Sequence, residues 1–209
     1  MTTPTLIYVA DPMCSWCWGF SPVFEDMMRY YGKRVRFQLM LGGLRPGNTE
    51  RFDDSRRAYI LQHWHAVHER TGQPFNFDFH MGPTFTYDTE PASRAIVVVR
   101  QLMPEKEWEY LKCVQEAFYV KNADVTTTEV LEELAVGVGI DVFRFRKVFE
   151  DSSIKELVWK EFDHSRQLGV NGFPTLLGQE NQSVSALMHG YQSRELLTGT
   201  IEQFLQKVA

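Results

Sequence analysis

The sequence predicts an α/β fold in which a long helical segment is inserted into a unit built of strands and helices. Three observations favour it: a strand, helix, strand order in the first 50 residues, helical periodicity over about residues 54–168, and short apolar strands after Gly169. The predicted segments are residues 1–50, an inserted helical domain over residues 51–150, and residues 151–209. A chain of 209 residues can bury a substantial core without disulfide bonds.

The first segment predicts two strands and one helix. Residues 6–10 form a run of β-branched and aromatic side chains that is typical of a short buried strand. Residues 21–31 carry apolar side chains at helical spacing, and Gly32 is placed to end that helix. Residues 35–41 alternate at first between apolar and polar and predict a second strand.

The middle of the chain predicts four to six helices. The first expected helix is capped by Asp54 or Ser55 and runs to Arg70, the second runs from Thr89 to Leu102, and the third covers residues 105–121. Two further helices are expected to begin at the capping-box sequences Thr126 to Glu129 and Ser153 to Glu156.

The last segment returns to strands. Residues 173–177 and 184–188 predict two strands joined by a polar turn over residues 178–183, and Ser193 is placed to cap a final helix through Lys207.

Composition excludes several classes of function. The net charge of −5 and the lack of a basic cluster argue against partners that are nucleic acids or membrane surfaces. No apolar run approaches the ~20 residues of a membrane helix. Residues 1–5 lack the positive start of a signal peptide, so the cytoplasm is the expected location.

Cys14 and Cys17 form a CxxC motif between the first strand and the first helix. A helix N-terminus offers unpaired amides and partial positive charge to a thiolate, and only the thiolate attacks a disulfide. Cys14, which we expect to be exposed, is therefore the predicted nucleophile, and Cys17 is the resolving thiol. A zinc site is the alternative, but no second CxxC or HxxxH pair accompanies the motif.

The sequence from Asp11 to Pro22, DPMCSWCWGFSP, resembles the active-site segment of the DsbA family, in particular its cytoplasmic FrnE-like branch. Pro22 lies eight residues after Cys14, as in thioredoxin-fold proteins, and residues 169–175 are similar to the cis-proline loop of the family. The resemblance implies a thioredoxin fold with an all-helical insertion, and thiol-disulfide oxidoreductase or protein-disulfide isomerase activity. It also implies that Pro174 faces the disulfide and keeps metal from the cysteines.

Two departures from the family limit what the resemblance implies. The buried acid that thioredoxin and DsbA place six residues before the first cysteine is Tyr8 here, and Asp11 is the nearer acid. The Ser15-Trp16 dipeptide lacks the histidine of DsbA, so we expect a milder, more reducing potential than that of DsbA.

The predicted substrate-binding residues are Trp16, Trp18 and Phe173. The backbone of Phe173 could pair with a peptide strand. We interpret Cys113 as a core residue. We expect His63, His65 and His68 to lie on a solvent-exposed part of a helix, so no metal site is predicted.

The predicted partners are disulfide-containing proteins or peptides. No bound cofactor is expected, and glutathione is a candidate electron donor or substrate. The chain is predicted to be a monomer or a homodimer.

Two other functions stay open. Kappa-class glutathione transferases and hydroxychromene-carboxylate isomerases share the inserted fold, although they usually carry serine at the first position and lack the pair. A DsbA-like adaptor that delivers proteins to the ClpXP protease would use the fold only as a docking surface.

Overall fold

The computed structural model describes residues 3–207, so residues 1, 2, 208 and 209, at the ends of the first and last predicted segments, lie outside the described residues. The strands are β1 (Thr5–Ala10), β2 (Arg36–Leu41), β3 (Thr175–Glu180) and β4 (Ser183–His189). The helices are α1 (Ser15–Tyr31), α2 (Asp54–Thr71), α3 (Glu90–Leu102), α4 (Glu107–Tyr119), α5 (Thr128–Gly137), α6 (Val142–Phe149), α7 (Ser152–Gln167) and α8 (Arg194–Lys207). The predicted α/β fold, with helices inserted between its strands, is confirmed.

The four strands form one sheet in the order β2-β1-β3-β4, in which β1 is parallel to β2 and the other pairs are antiparallel. Successive side chains of a strand point to opposite faces. Leu6, Tyr8 and Ala10 of β1 join the main core, whereas Ile7 and Val9 belong to a smaller cluster on the other face. Burial on both faces explains why β1 is continuously apolar.

An ion pair covers the outer edge of β2. Glu161 from α7 accepts a hydrogen bond from the Leu41 amide at 2.7 Å, and Arg100 from α3 donates to the Leu39 carbonyl at 3.3 Å. Arg100 also donates to both oxygens of Glu161, at 2.6 and 3.0 Å, and pairs with Glu107. These side chains occupy backbone groups that an edge strand would otherwise expose.

The inserted helices share one core with the sheet. The main apolar cluster runs from β1 and α1 through α2, α3 and α4 to α8 without interruption. Within α1, the apolar face includes Phe24, Met27 and Tyr31, and Pro22 lies inside the helix. No helix between residues 3 and 207 combines the length and the apolar character that a membrane crossing needs. The division at residues 50 and 150 stays a prediction.

The predicted N-caps of several helices are wrong. Asp53, rather than Asp54 or Ser55, caps α2 by accepting a hydrogen bond from the Arg56 amide at 2.9 Å. Neither capping box forms, because the helices begin elsewhere. The N-cap of α5 is Thr127, and α7 is capped by Asp151, which accepts from the Ser153 amide. In each case a neighbouring residue holds the N-cap position, and at α5 the Thr127 side chain makes no capping hydrogen bond.

The predicted strand ends also shift. β3 begins at Thr175, two residues later than predicted, because residues 173 and 174 form the loop that faces Cys14. It continues to Glu180, so the turn to β4 is tighter than the predicted one. Asn181 in this turn has a φ of 52°. Helix α1 starts at Ser15, six residues before the periodic stretch that predicted it.

Candidate active site

Cys14 occupies the N-cap position of α1. After β1 ends, the Cys14 amide donates to the Asp11 carbonyl at 3.1 Å, which turns the chain into the helix at Ser15. The backbone of Cys14 is extended, with φ −89° and ψ 114°, as is usual for an N-cap residue. The start of a helix favours an anion, although the Cys14 side chain makes no capping hydrogen bond to the first-turn amides.

The two cysteines of the motif differ in burial. Cys17 is fully buried, whereas Cys14 is 6% exposed and lines a cavity of about 200 Å³. Both are free thiols. Burial raises the pKa of Cys17 well above its usual range, and its hydrogen bond with Cys14 acts in the same direction. The expected exposure of Cys14 is corrected: a partner reaches this residue through a cavity, not on an open surface.

The loop before β3 faces Cys14. The Phe173–Pro174 peptide bond is cis, Pro174 is buried, and the Cys14 thiol lies 3.7 Å from the Phe173 carbonyl, to which it donates. Gly42, at the end of β2, makes room for this loop: a Cβ there would lie 1.9 Å from the Phe173 ring. The loop is further held by Thr175, whose hydroxyl donates to the Gly172 carbonyl at 2.9 Å.

Two cavities adjoin at Trp16 and Phe173, and together we call them the Cys14 groove. The first contains Cys14 and Tyr59, and the second, of about 330 Å³, lies against Tyr191. Trp16 is half-buried, and its ring centroid is 6.0 Å from that of Tyr191. The groove therefore presents aromatic and apolar surface on both sides of the nucleophile.

Asp11 is a fully buried acid beside the motif. Its carboxylate accepts hydrogen bonds from the Met13 amide at 2.8 Å and the Leu44 amide at 2.6 Å. Burial raises the pKa of Asp11 to about 6, although these hydrogen bonds oppose the shift. Tyr8 holds the position at which the family has its acid, and burial followed by the neighbouring Cys17 raises the pKa of its phenol well above the usual range.

Within residues 3–207, no three His, Cys, Asp or Glu side chains are arranged to hold a metal ion. The three histidines of α2 are exposed and make separate contacts. His65 stacks on Phe77 at a centroid distance of 4.0 Å, and His68 lies 2.7 Å from the Gln73 carbonyl.

Comparison with known proteins identifies the family. A family model described as the DSBA-like thioredoxin domain matches residues 5–202. The chain belongs to the DSBA-like thioredoxin family.

Solved structures share this DsbA-like fold. The structure of a "putative protein disulfide isomerase" from Nitrosomonas europaea is 38% identical, with a TM-score of 0.93, and the match covers all of both chains. The cytosolic disulfide reductase DsbM from Pseudomonas aeruginosa is 23% identical, with a TM-score of 0.78, over 96% of this chain and 98% of its own. A structure of DsbM with GSH has a TM-score of 0.77.

Curated relatives carry a different description. The ClpXP adapter protein SpxH of Halalkalibacterium halodurans is 25% identical over 83% of this chain, and the SpxH of Bacillus subtilis is 22% identical over 83%. The chain spans about three fifths of the length of the curated relatives it matches, with 58% for the first.

Within the DsbA-like site, the assignment of Trp18 to substrate binding needs correction. Its side chain is buried, its indole N–H donates to the Pro74 carbonyl at 2.9 Å, and its ring stacks on Tyr119. The loop after α2 covers this face of α1, so Trp18 packs in the core and does not line the groove. Trp16 and Phe173 do line the groove, and their contact with substrate stays a prediction.

Three cationic or titratable side chains that the sequence did not predict there line the Cys14 groove. Arg45 and His63 line the first cavity, and Arg70 lines the second. The Arg45 guanidinium lies 5.4 Å from the centroid of Tyr87, and that of Arg70 lies 5.8 Å from the centroid of Tyr191. The sequence held only a weak signal for them, since each is a polar residue in a loop or on a helix face.

Proposed function

We propose that the chain catalyses thiol-disulfide exchange, with Cys14 as the attacking thiol and Cys17 as the resolving one. One observation carries this proposal. Cys14 holds the N-cap position of α1, its side chain borders the groove and lies 3.7 Å from the Phe173 carbonyl, and the Cys17 thiol is buried one turn into the helix. Membership of the DSBA-like family supports the same chemistry.

The reaction proceeds in two exchanges. The Cys14 thiolate attacks one sulfur of a substrate disulfide, which forms a mixed disulfide and releases the other sulfur as a thiolate. Cys17 then loses its proton and attacks the Cys14 sulfur, which releases the second substrate thiolate and leaves a Cys14–Cys17 disulfide. The reverse sequence would oxidise a substrate. Because Cys17 is fully buried, a substrate meets Cys14 first.

Proton transfer from Cys17 needs a base, because burial disfavours its thiolate. We assign this role to Asp11, which is buried beside the motif and has a pKa of about 6, so it is ionised at neutral pH. The Asp11 backbone lowers the pKa of Cys17 and the Asp11 carboxylate raises it, and both effects are smaller than that of burial.

The groove fits disulfides of proteins or peptides, and glutathione as electron donor or substrate. Trp16 and Phe173 offer apolar contacts, and an arginine lies in each cavity, Arg45 in one and Arg70 in the other. Glutathione carries a carboxylate at each end, so its charges complement a groove with two separated guanidinium groups. The cytoplasm stays the predicted location, and cell fractionation would test it.

Trapping tests the proposal directly. The Cys17→Ser variant should accumulate a mixed disulfide on Cys14, because nothing resolves it, and mass spectrometry after digestion would identify the bond. Cys113→Ser is the matched control and should trap nothing. Recovery of the mixed disulfide on Cys113, or none at all with insulin and with glutathione disulfide, would refute the mechanism.

A second candidate is the adaptor function, which the similarity to SpxH favours. A partner protein that is retained equally by the parent and by the Cys14→Ser, Cys17→Ser double variant would support docking without exchange chemistry. The glutathione-conjugating alternative is less compatible with the site, because Cys17 beside Cys14 would discharge an adduct.

A further inference from the structure

A further cavity, apart from the two that form the Cys14 groove, lies between α1 and α4, and we call it the α1–α4 cavity. Its volume is about 300 Å³, within the range of small-molecule sites. Among the described residues, none lines both this cavity and the Cys14 groove. The cavity is therefore distinct from the groove, although Tyr8 in its wall also lies beside Cys17.

The walls of the α1–α4 cavity are aromatic. Tyr8 and Phe24 stack with centroids 4.2 Å apart, and Trp108 lies 5.2 Å from Phe24 and 6.4 Å from Tyr8. Met28 and Leu111 add aliphatic surface. Such walls favour a flat apolar molecule, because rings pack on one another by stacking or by edge contact.

One buried polar group of this cavity lacks a partner. The Gln115 side-chain amide nitrogen has no hydrogen bond among the described residues, and the residue is only 2% exposed. Gln115 lines the cavity, and its amide group can donate. A buried donor without an acceptor is costly, so a ligand that brings an acceptor would gain from this pairing.

The rim of the cavity carries both charges. Lys112 on α4 pairs with Glu25 on α1 at 2.7 Å, and both side chains are partly exposed. A surface pair of this kind contributes little to stability and can rearrange. Glu109, which also lines the cavity, pairs with Lys106 at 2.7 Å, so both carboxylates of the rim are paired with a lysine and neither selects a charged ligand.

We propose that the α1–α4 cavity binds a neutral, ring-containing small molecule with a carbonyl acceptor. The ring packs against Phe24 and Trp108, and the carbonyl oxygen accepts a hydrogen bond from the Gln115 amide. The site is separate from the nucleophile, so binding does not require the Cys14 thiol.

A matched pair of probes tests this proposal. In NMR titrations of the full chain, 2-acetylnaphthalene should shift the Trp108 indole and Gln115 side-chain amide signals. 2-Ethylnaphthalene has nearly the same shape but no acceptor, so it should bind about fivefold more weakly, the value of one ordinary hydrogen bond.

Two variants locate the site. Met28→Trp should fill the cavity and weaken binding of 2-acetylnaphthalene at least about tenfold, as expected for loss of an aromatic contact site. Met103→Trp, at a half-buried position that lines neither cavity, should leave binding unchanged. Gln115→Leu should remove the preference for the acetyl compound and keep the affinity for the ethyl compound. Thermal unfolding of each variant checks that it folds.

The proposal would be overturned by no binding of 2-acetylnaphthalene up to its solubility limit, by equal affinity for the two probes in the parent, or by shifts confined to Trp16 and Tyr191 of the Cys14 groove. Unchanged affinity in a folded Met28→Trp variant would likewise place the probe elsewhere.

Discussion

Cys14, at the start of α1, and Cys113, inside α4, carry the same functional group in two different surroundings. Cys14 caps a helix and borders the groove, whereas Cys113 lies inside α4, half-buried against the main core. Burial raises the pKa of Cys113, and Glu109 and Glu116 raise it further. Position relative to a helix end and a groove therefore distinguishes a reactive thiol from a packing residue.

The sharpest test of this difference is removal of each thiol. Cys14→Ser should lower the rate of insulin reduction by about a thousandfold or more, as loss of a nucleophile does. Cys113→Ser should leave the rate within about twofold, because a serine fits a half-buried site with little effect. If Cys14→Ser kept the parent rate, the distinction between the two sites would collapse.

The acid beside Cys17 is fully buried, whereas the acids near Cys113, Glu109 and Glu116, are partly exposed. Asp11 is protonated below about pH 6 and ionised above it, so the resolving step should accelerate as the pH rises through this value. Asp11→Asn should lose that rise and resolve mixed disulfides about a hundredfold more slowly at pH 7.5. Stopped-flow kinetics on a preformed mixed disulfide would measure both. A retained inflection near pH 6 in the variant would assign it to another group.

The aromatic wall beside Cys14 should contribute to substrate affinity. Trp16→Ala removes a half-buried ring that lines both parts of the groove, and should lower kcat/KM for a peptide disulfide about tenfold. The buried Trp18 is unsuitable as a control, so Trp159→Ala on α7, which lines neither part of the groove, serves instead. Equal losses in both variants would indicate a general loss of stability.

The smallest expected effect concerns charge. Arg45→Gln should raise KM for glutathione disulfide about fivefold, the scale of one partly exposed charged contact. KM for a neutral peptide disulfide should stay unchanged, because that substrate has no carboxylate for the guanidinium. A similar rise in KM for both disulfides would mean that Arg45 shapes the groove and does not recognise charge.

The CxxC motif is a local pattern, and the resemblance to the DsbA family indicated the Pro174 loop, which lies beside Cys14. The cap of α7 was harder to predict: Asp151 and Ser153 are both good capping residues, and only the path of the chain decides between them. Long-range packing decided the rest. Trp18 is buried because the loop after α2 folds over α1, and Arg45 reaches the groove because β2 ends beside Cys14.

The ion pair at β2 limits how the sheet can grow. Inward-facing amides of this strand pair with β1, and the outward Leu41 amide and Leu39 carbonyl are taken by Glu161 and Arg100. Two side chains thus satisfy two backbone groups near the carboxyl end of this edge strand. They block that part of the edge as a template on which a neighbouring chain could add a strand.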